Sequence, residues 1–188
     1  LDPVMRRQIL QSVERSRSAM INPTERLQYR YAVGFVDLVG FTPISQDMSA
    51  GDLSDFIMRF EGRAHDAVTA VGARLVKLIG DEVMFVAPSA DAACQVAEQL
   101  MSSLWAQGAG DVEPRGGLAY GDVLVRGGDY YGEIVNLASR LTAAAQPKEL
   151  LVSDAFAEAS SRLPFKAAGR RALKGFSDLV TVSSVQFQ

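Results

Sequence analysis

Two acidic residues stand where apolar strand sequence should exclude them. Asp37 closes the run Tyr31-Ala-Val-Gly-Phe-Val-Asp37, and Asp81 sits at a Gly-Asp turn between Leu75-Val-Lys-Leu-Ile79 and Val83-Met-Phe-Val86. A carboxylate embedded in such sequence is costly unless a cation or strong donors compensate it. Two of them at strand ends suit hard divalent cations such as Mg²⁺ or Mn²⁺, and these commonly accompany phosphates. If the hairpin pairs beside the first strand, both carboxylates meet at one edge of a sheet. Two metal ions held there could bind a triphosphate and activate a hydroxyl. Taken singly, either aspartate is a turn or cap residue; taken together, the pair reads as a metal site.

Other side chains fit a nucleotide. Lys77 lies in the same apolar strand, alternating with Leu75 and Ile79, where its ammonium needs a partner unless the strand is an exposed edge. Asn136 and Arg140 are spaced four apart on a helical segment, roughly opposite its apolar stripe. An amide and a guanidinium so placed can hold a sugar oxygen and a phosphate, although a plain solvated face has the same pattern. Gly127-Gly128-Asp129 is only a weak match to the loop of diguanylate cyclases, because Tyr130-Tyr131-Gly132 follows it. The chain contains no Gly-x-x-x-x-Gly-Lys-Ser/Thr loop, which excludes a P-loop enzyme. His65 reads as a structural histidine and Cys94, among small apolar residues, as a core residue.

The elements needed to position these groups follow from periodicity. A strand over 31–37 leads through Gly40-Phe41-Thr42-Pro43 into helical sequence, and 52–71 carries an apolar helical face. A hairpin over 74–86 turns at Gly80-Asp81, and a helix runs from about Ser89 to Trp105. Two strands are expected on either side of Gly121, then a helix from Glu133 to Ala145 and short C-terminal strands. This order predicts an α+β fold with one layer of helices over a largely antiparallel sheet. Residues 1–21 form a candidate helix with a narrow apolar stripe, ended by Asn22-Pro23. The expected division is a linker or regulatory helix over 1–29 and one domain over 30–188.

Composition limits the alternatives. The 188 residues suffice for one sizeable core, and a net charge of −3 gives no electrostatic reason to expect nucleic acid as a partner. A single cysteine excludes an internal disulfide framework and fits a reducing, cytoplasmic location. No apolar run approaches the roughly 20 residues of a membrane helix. The chain opens on Leu1 rather than Met, so a fragment is expected, with its regulatory region and any membrane attachment lying elsewhere.

In order, Phe35-Val-Asp37-Leu-Val-Gly-Phe-Thr42, Lys77-Leu-Ile-Gly-Asp81, Arg115-Gly-Gly-Leu-Ala-Tyr-Gly121 and Asp129-Tyr-Tyr-Gly-Glu-Ile-Val-Asn136-Leu-Ala-Ser-Arg140 resemble the class III nucleotidyl cyclase catalytic domain. The short stretch between Gly121 and Asp129 is similar to the compact-arm bacterial, mycobacterial-like adenylate cyclases. The resemblance implies a ferredoxin-like cyclase fold and conversion of ATP to 3′,5′-cyclic AMP and pyrophosphate. It implies two Mg²⁺ or Mn²⁺ ions per site, on Asp37 and Asp81, with Lys77 and Asp129 reading the purine. Asn136 would orient the ribose, Arg140 would stabilise the pentavalent phosphorus, Lys174 would hold the terminal phosphates, and Arg115 would assist with phosphate. In this family one site draws on two subunits, so a homodimer with interfacial sites is implied, and residues 1–21 are a candidate transmitter of subunit rotation. Adenine offers an acceptor at N1 and a donor at N6, which a lysine and an aspartate complement; guanine would ask for an acid at Lys77. A guanylate cyclase and a catalytically silent nucleotide-binding module are the competing readings.

Overall fold

β1 (Gln28–Val39) is buried without interruption from Ala32 to Val36, the mark of a strand covered on both faces. The computed structural model describes residues 28–102 and 112–187. After β1 come α1 (Phe41–Asp47), α2 (Ala50–Ala70), β2 (Arg74–Ile79), β3 (Glu82–Ala87) and α3 (Ala90–Met101). They are followed by β4 (Glu113–Arg126), β5 (Asp129–Tyr131), α4 (Glu133–Ala144), β6 (Glu149–Ser153), α5 (Asp154–Ala159), β7 (Lys166–Arg171) and β8 (Val180–Gln186). α2, α3 and α5 each start on a serine, Ser49, Ser89 and Ser153, whose hydroxyl oxygen accepts the backbone N–H three residues on.

The strands form one sheet in the order β2-β3-β1-β4-β6-β8-β7, with β5 paired to β4. Only the β4–β6 pairing among these is parallel. Alternation along the strands divides the core in two. Ala32, Val36, Phe85 and Leu118 face Phe56 and Phe60 of α2, Val96 and Leu100 of α3, and Phe156 of α5. Val33, Phe35, Met84 and Ala119 face Leu137, Ala138 and Leu141 of α4.

The α+β class and the largely antiparallel sheet agree with the sequence. The single helical layer does not, because α4 covers the face opposite α2, α3 and α5. Gly117 of β4 allows that helix to lie directly on the sheet: a Cβ there would stand 2.4 Å from the Thr142 nitrogen and 2.5 Å from the Ala138 carbonyl oxygen. Gly121 also differs from expectation. It breaks no strand but pairs with Tyr31 inside a continuous β4, where its missing side chain makes room for Ile134. The expected helix over 1–21, the continuation of α3 towards Trp105 and the loop at 108–111 lie outside the described residues.

Candidate active site

Strand parity decides what surrounds the first aspartate. Val33 and Phe35 point to the α4 face, and Asp37 follows at the same parity. Across the ladder Asp37 is opposite Glu82 of β3 on one side and Arg115 of β4 on the other. Arg115 donates Nε and Nη2 to Asp37 Oδ2 at 3.0 and 2.8 Å. Its Nη1 donates to the Ala143 carbonyl at 3.1 Å. That carbonyl belongs to the last turn of α4, where acceptors lack helical partners and positive charge is favoured. One guanidinium thus neutralises the aspartate and caps the helix.

Asp81 sits at the tip of the β2–β3 hairpin, which pairs beside β1 as the sequence suggested. Burial pushes its carboxyl above the ordinary carboxylate range; the negative charge of Asp37 adds to this, while backbone hydrogen bonding and Arg115 oppose it. Glu82 is pushed up in the same way, by burial first and then by the charges of Asp37 and Asp81. Three carboxyl groups therefore share one nearby guanidinium, and the cluster is short of positive charge. Among the described residues no three or more His, Cys, Asp or Glu side chains are arranged to enclose an ion. Two carboxylates, with phosphate oxygens and water completing the shell, are the usual holding arrangement for Mg²⁺. Asp37 and Asp81 fit that donor set. Glu82 escaped the sequence reading, although its place beside Asp81, in register with the end of β1, is the signal that could have revealed it.

A second group forms on the same face. A β-bulge between Leu75 and Lys77 shifts the register, so Leu75 is opposite Phe85 while Lys77 is opposite Met84. Phe85 and Met84 belong to different faces, so Lys77 leaves the side of Leu75, with which it was expected to alternate, and turns to the α4 side. There its Nζ donates to Asp129 Oδ2 at 2.9 Å, and the backbone N–H of Tyr130 donates to Asp129 Oδ1 at 2.9 Å. The lysine hydrogen bond, helped by the Tyr130 N–H, holds the Asp129 carboxyl below its usual range. With side-chain exposures of 45% and 29%, this ion pair contributes about 1 kcal/mol at most to stability. It is cheap to exchange for a ligand.

Asn136 and Arg140 are exposed, one turn apart on α4, and Lys174 is exposed in the turn between β7 and β8. That turn is anchored by buried Leu173, whose carbonyl accepts the Phe176 N–H at 3.1 Å. The structure therefore gathers Asp37, Asp81 and Arg115 in one group and Lys77 with Asp129 in another, while Asn136, Arg140 and Lys174 stand outside both. Arg115 is engaged with Asp37 and α4. His65 is exposed, and Cys94 is a core thiol 3.3 Å from Ser160 Oγ, pushed by burial to about 11.

The profile of the adenylate and guanylate cyclase catalytic domain matches residues 26–183. An adenylate cyclase of Streptomyces coelicolor is 43% identical over 155 residues, covering 82% of this chain and 40% of the relative. The chain thus spans less than half the length of that relative. Among solved structures, the adenylyl cyclase CyaB of P. aeruginosa superposes with a TM-score of 0.77 at 25% identity, covering 87% of this chain and 97% of the other. The catalytic core of a rhodopsin-guanylyl cyclase with converted specificity gives 0.76 at 22% identity, covering 86% and 99%. That second likeness speaks for the fold alone. A match over most of the chain, a close relative and the two clustered groups on the α4 face agree, and this chain belongs to the adenylate and guanylate cyclase catalytic domain family.

Proposed function

We propose that the chain is the catalytic domain of an adenylate cyclase, converting ATP to 3′,5′-cyclic AMP and pyrophosphate. The observation that carries this reading is the Lys77–Asp129 pair, a donor and an acceptor 2.9 Å apart on the face that also carries Asp37. Lys77 donates to adenine N1, and Asp129 accepts from the N6 amino group. Guanine reverses both polarities and leaves each residue facing a like partner. The name of the Streptomyces coelicolor relative supports the same choice.

In this proposal Asp37 and Asp81 hold two divalent cations, Mg²⁺ or Mn²⁺. When bound, these cations supply the positive charge that neutralises the triphosphate and lowers the pKa of the 3′-hydroxyl. The 3′-oxygen gives up its proton to solvent water and bonds to the α-phosphorus, and the bond from that phosphorus to the bridging oxygen breaks, releasing pyrophosphate. Asn136 orients the ribose, Arg140 neutralises charge on the phosphorus as it becomes five-coordinate, and Lys174 holds the terminal phosphates. In the same reading Arg115 assists with phosphate through the positive charge it carries beside Asp37.

Asn136 and Arg140 project from the outer face of α4, whereas Asp37 lies beneath the same helix. The proposal therefore places two chains around each site, with the metal carboxylates from one copy and the purine and ribose contacts from its twin. The test is a product assay with ATP and with GTP, on the wild-type chain and on the double substitution Lys77→Glu, Asp129→Cys. Cyclic AMP from the wild type and a shift towards GTP in the variant are expected. An unchanged base preference would remove the purine assignment.

A further inference from the structure

We infer that Arg74 is a positioning residue for base selection, clamping the β4–β5 hairpin back onto β2 so that Asp129 meets Lys77. The inference rests on the reading of Lys77 and Asp129 as purine contacts. In the sheet, β2 and β5 are separated by β3, β1 and β4. A flat sheet could not bring Lys77 and Asp129 to 2.9 Å; the hairpin must fold over the α4 face to do so.

An exposed ion pair is too weak to impose that bend, since such pairs contribute about 0.2–1 kcal/mol. More is needed, and it comes from Tyr130. Tyr130 is buried and makes an edge-to-face contact with Tyr31 of β1 at 5.9 Å between ring centres. The Arg74 guanidinium carbon stands 5.9 Å from the centre of the Tyr130 ring, within reach of a cation–π contact. The turn of the hairpin also lies close to this side chain: a Cβ on Gly128 would stand 3.5 Å from Arg74 Nη2. Arg74 thus lies beside the turn of the hairpin and over the Tyr130 ring, on either side of Asp129 in sequence.

The consequence for Asp129 is orientation. Its Oδ1 accepts the N–H of Tyr130, so fixing Tyr130 fixes the carboxylate plane and leaves Oδ2 aimed at Lys77. When a base takes the place of the Lys77–Asp129 hydrogen bond, Oδ1 stays held and Oδ2 remains presented. The positive charge of Arg74 also favours the ionised carboxylate. Arg74 itself is exposed and needs no contact with the base.

The experiment measures kcat/KM for ATP and for GTP on the intact chain and on Arg74→Ala, Arg74→Lys and Tyr130→Leu. Loss of one exposed cation–π contact predicts a fall of about two- to fivefold in the ATP-over-GTP ratio for Arg74→Ala, carried by KM for ATP. Arg74→Lys should recover part of it. The divalent-cation concentration giving half-maximal activity should stay at the wild-type value, because Asp37 and Asp81 are untouched. Arg74→Ala combined with Tyr130→Leu should be no worse than the more severe single change. An Arg74→Ala chain with the wild-type ratio would overturn the clamp, and Arg74 is exposed enough for that variant to fold even if Tyr130→Leu does not. Failure of the underlying reading has a different signature, namely Lys77→Ala and Asp129→Ala chains that both keep the wild-type ATP-over-GTP ratio.

Discussion

Asp37 is held by a partner 78 residues away, and that pairing shows what sequence can and cannot disclose about a single residue. The aspartate itself is conspicuous because its neighbours are apolar. Its partner Arg115 is not, since nothing near it in sequence indicates which acid it will meet. Register decides that: Asp37 is opposite Arg115 in the β1–β4 ladder. Lys77 illustrates the opposite limit, where a one-residue bulge reverses the face that simple alternation assigns. The Lys77–Asp129 pair makes a prediction at this scale. A folded-state pKa held below the unfolded value contributes stability that is complete above the unfolded value and is lost as pH falls through the folded one. A carboxyl ¹³C titration of Asp129 should therefore have its midpoint below the ordinary aspartate range, and Lys77→Ala should move it up. A midpoint unaffected by that substitution would mean that the 2.9 Å contact is not formed in solution.

Elements were easier to read than their sides. The hairpin over 74–86 and the helix from Glu133 were legible because each is a local pattern of polarity with a clear stop. The position of α4 was not, since an amphipathic helix shows which of its faces is apolar and not which side of a sheet it will cover. A clue was nonetheless present in β1, where apolar residues at both parities, Ala32 and Val36 against Val33 and Phe35, require a cover on each face. Gly117 then fixes how closely α4 approaches. Gly117→Ala should cost about 1–3 kcal/mol, because the added methyl meets backbone atoms of the helix, which cannot swing away as a side chain would. A drop in the thermal midpoint, with a loss of cyclase activity larger than the unfolded fraction explains, is the expected outcome. Activity falling only in proportion to unfolding would show that the height of α4 over the sheet does not matter to Asn136 and Arg140.

For the whole molecule, the central claim is that one chain carries two halves of different sites. Asp37 lies beneath α4 and is tied through Arg115 to its last turn, while Asn136 and Arg140 point outward from the same helix. No helix among the described residues is long and apolar enough to cross a membrane. The claim is tested by mixing two inactive variants, Asp37→Ala with Asp81→Ala in one chain and Asn136→Ala with Arg140→Ala in the other. Each alone should be inactive. Mixed in equal amounts, they should recover about a quarter of wild-type cyclic AMP formation, since half the dimers would be mixed and each would hold one complete site. No recovery at any ratio, with both variants folded and dimeric, would contradict the shared site.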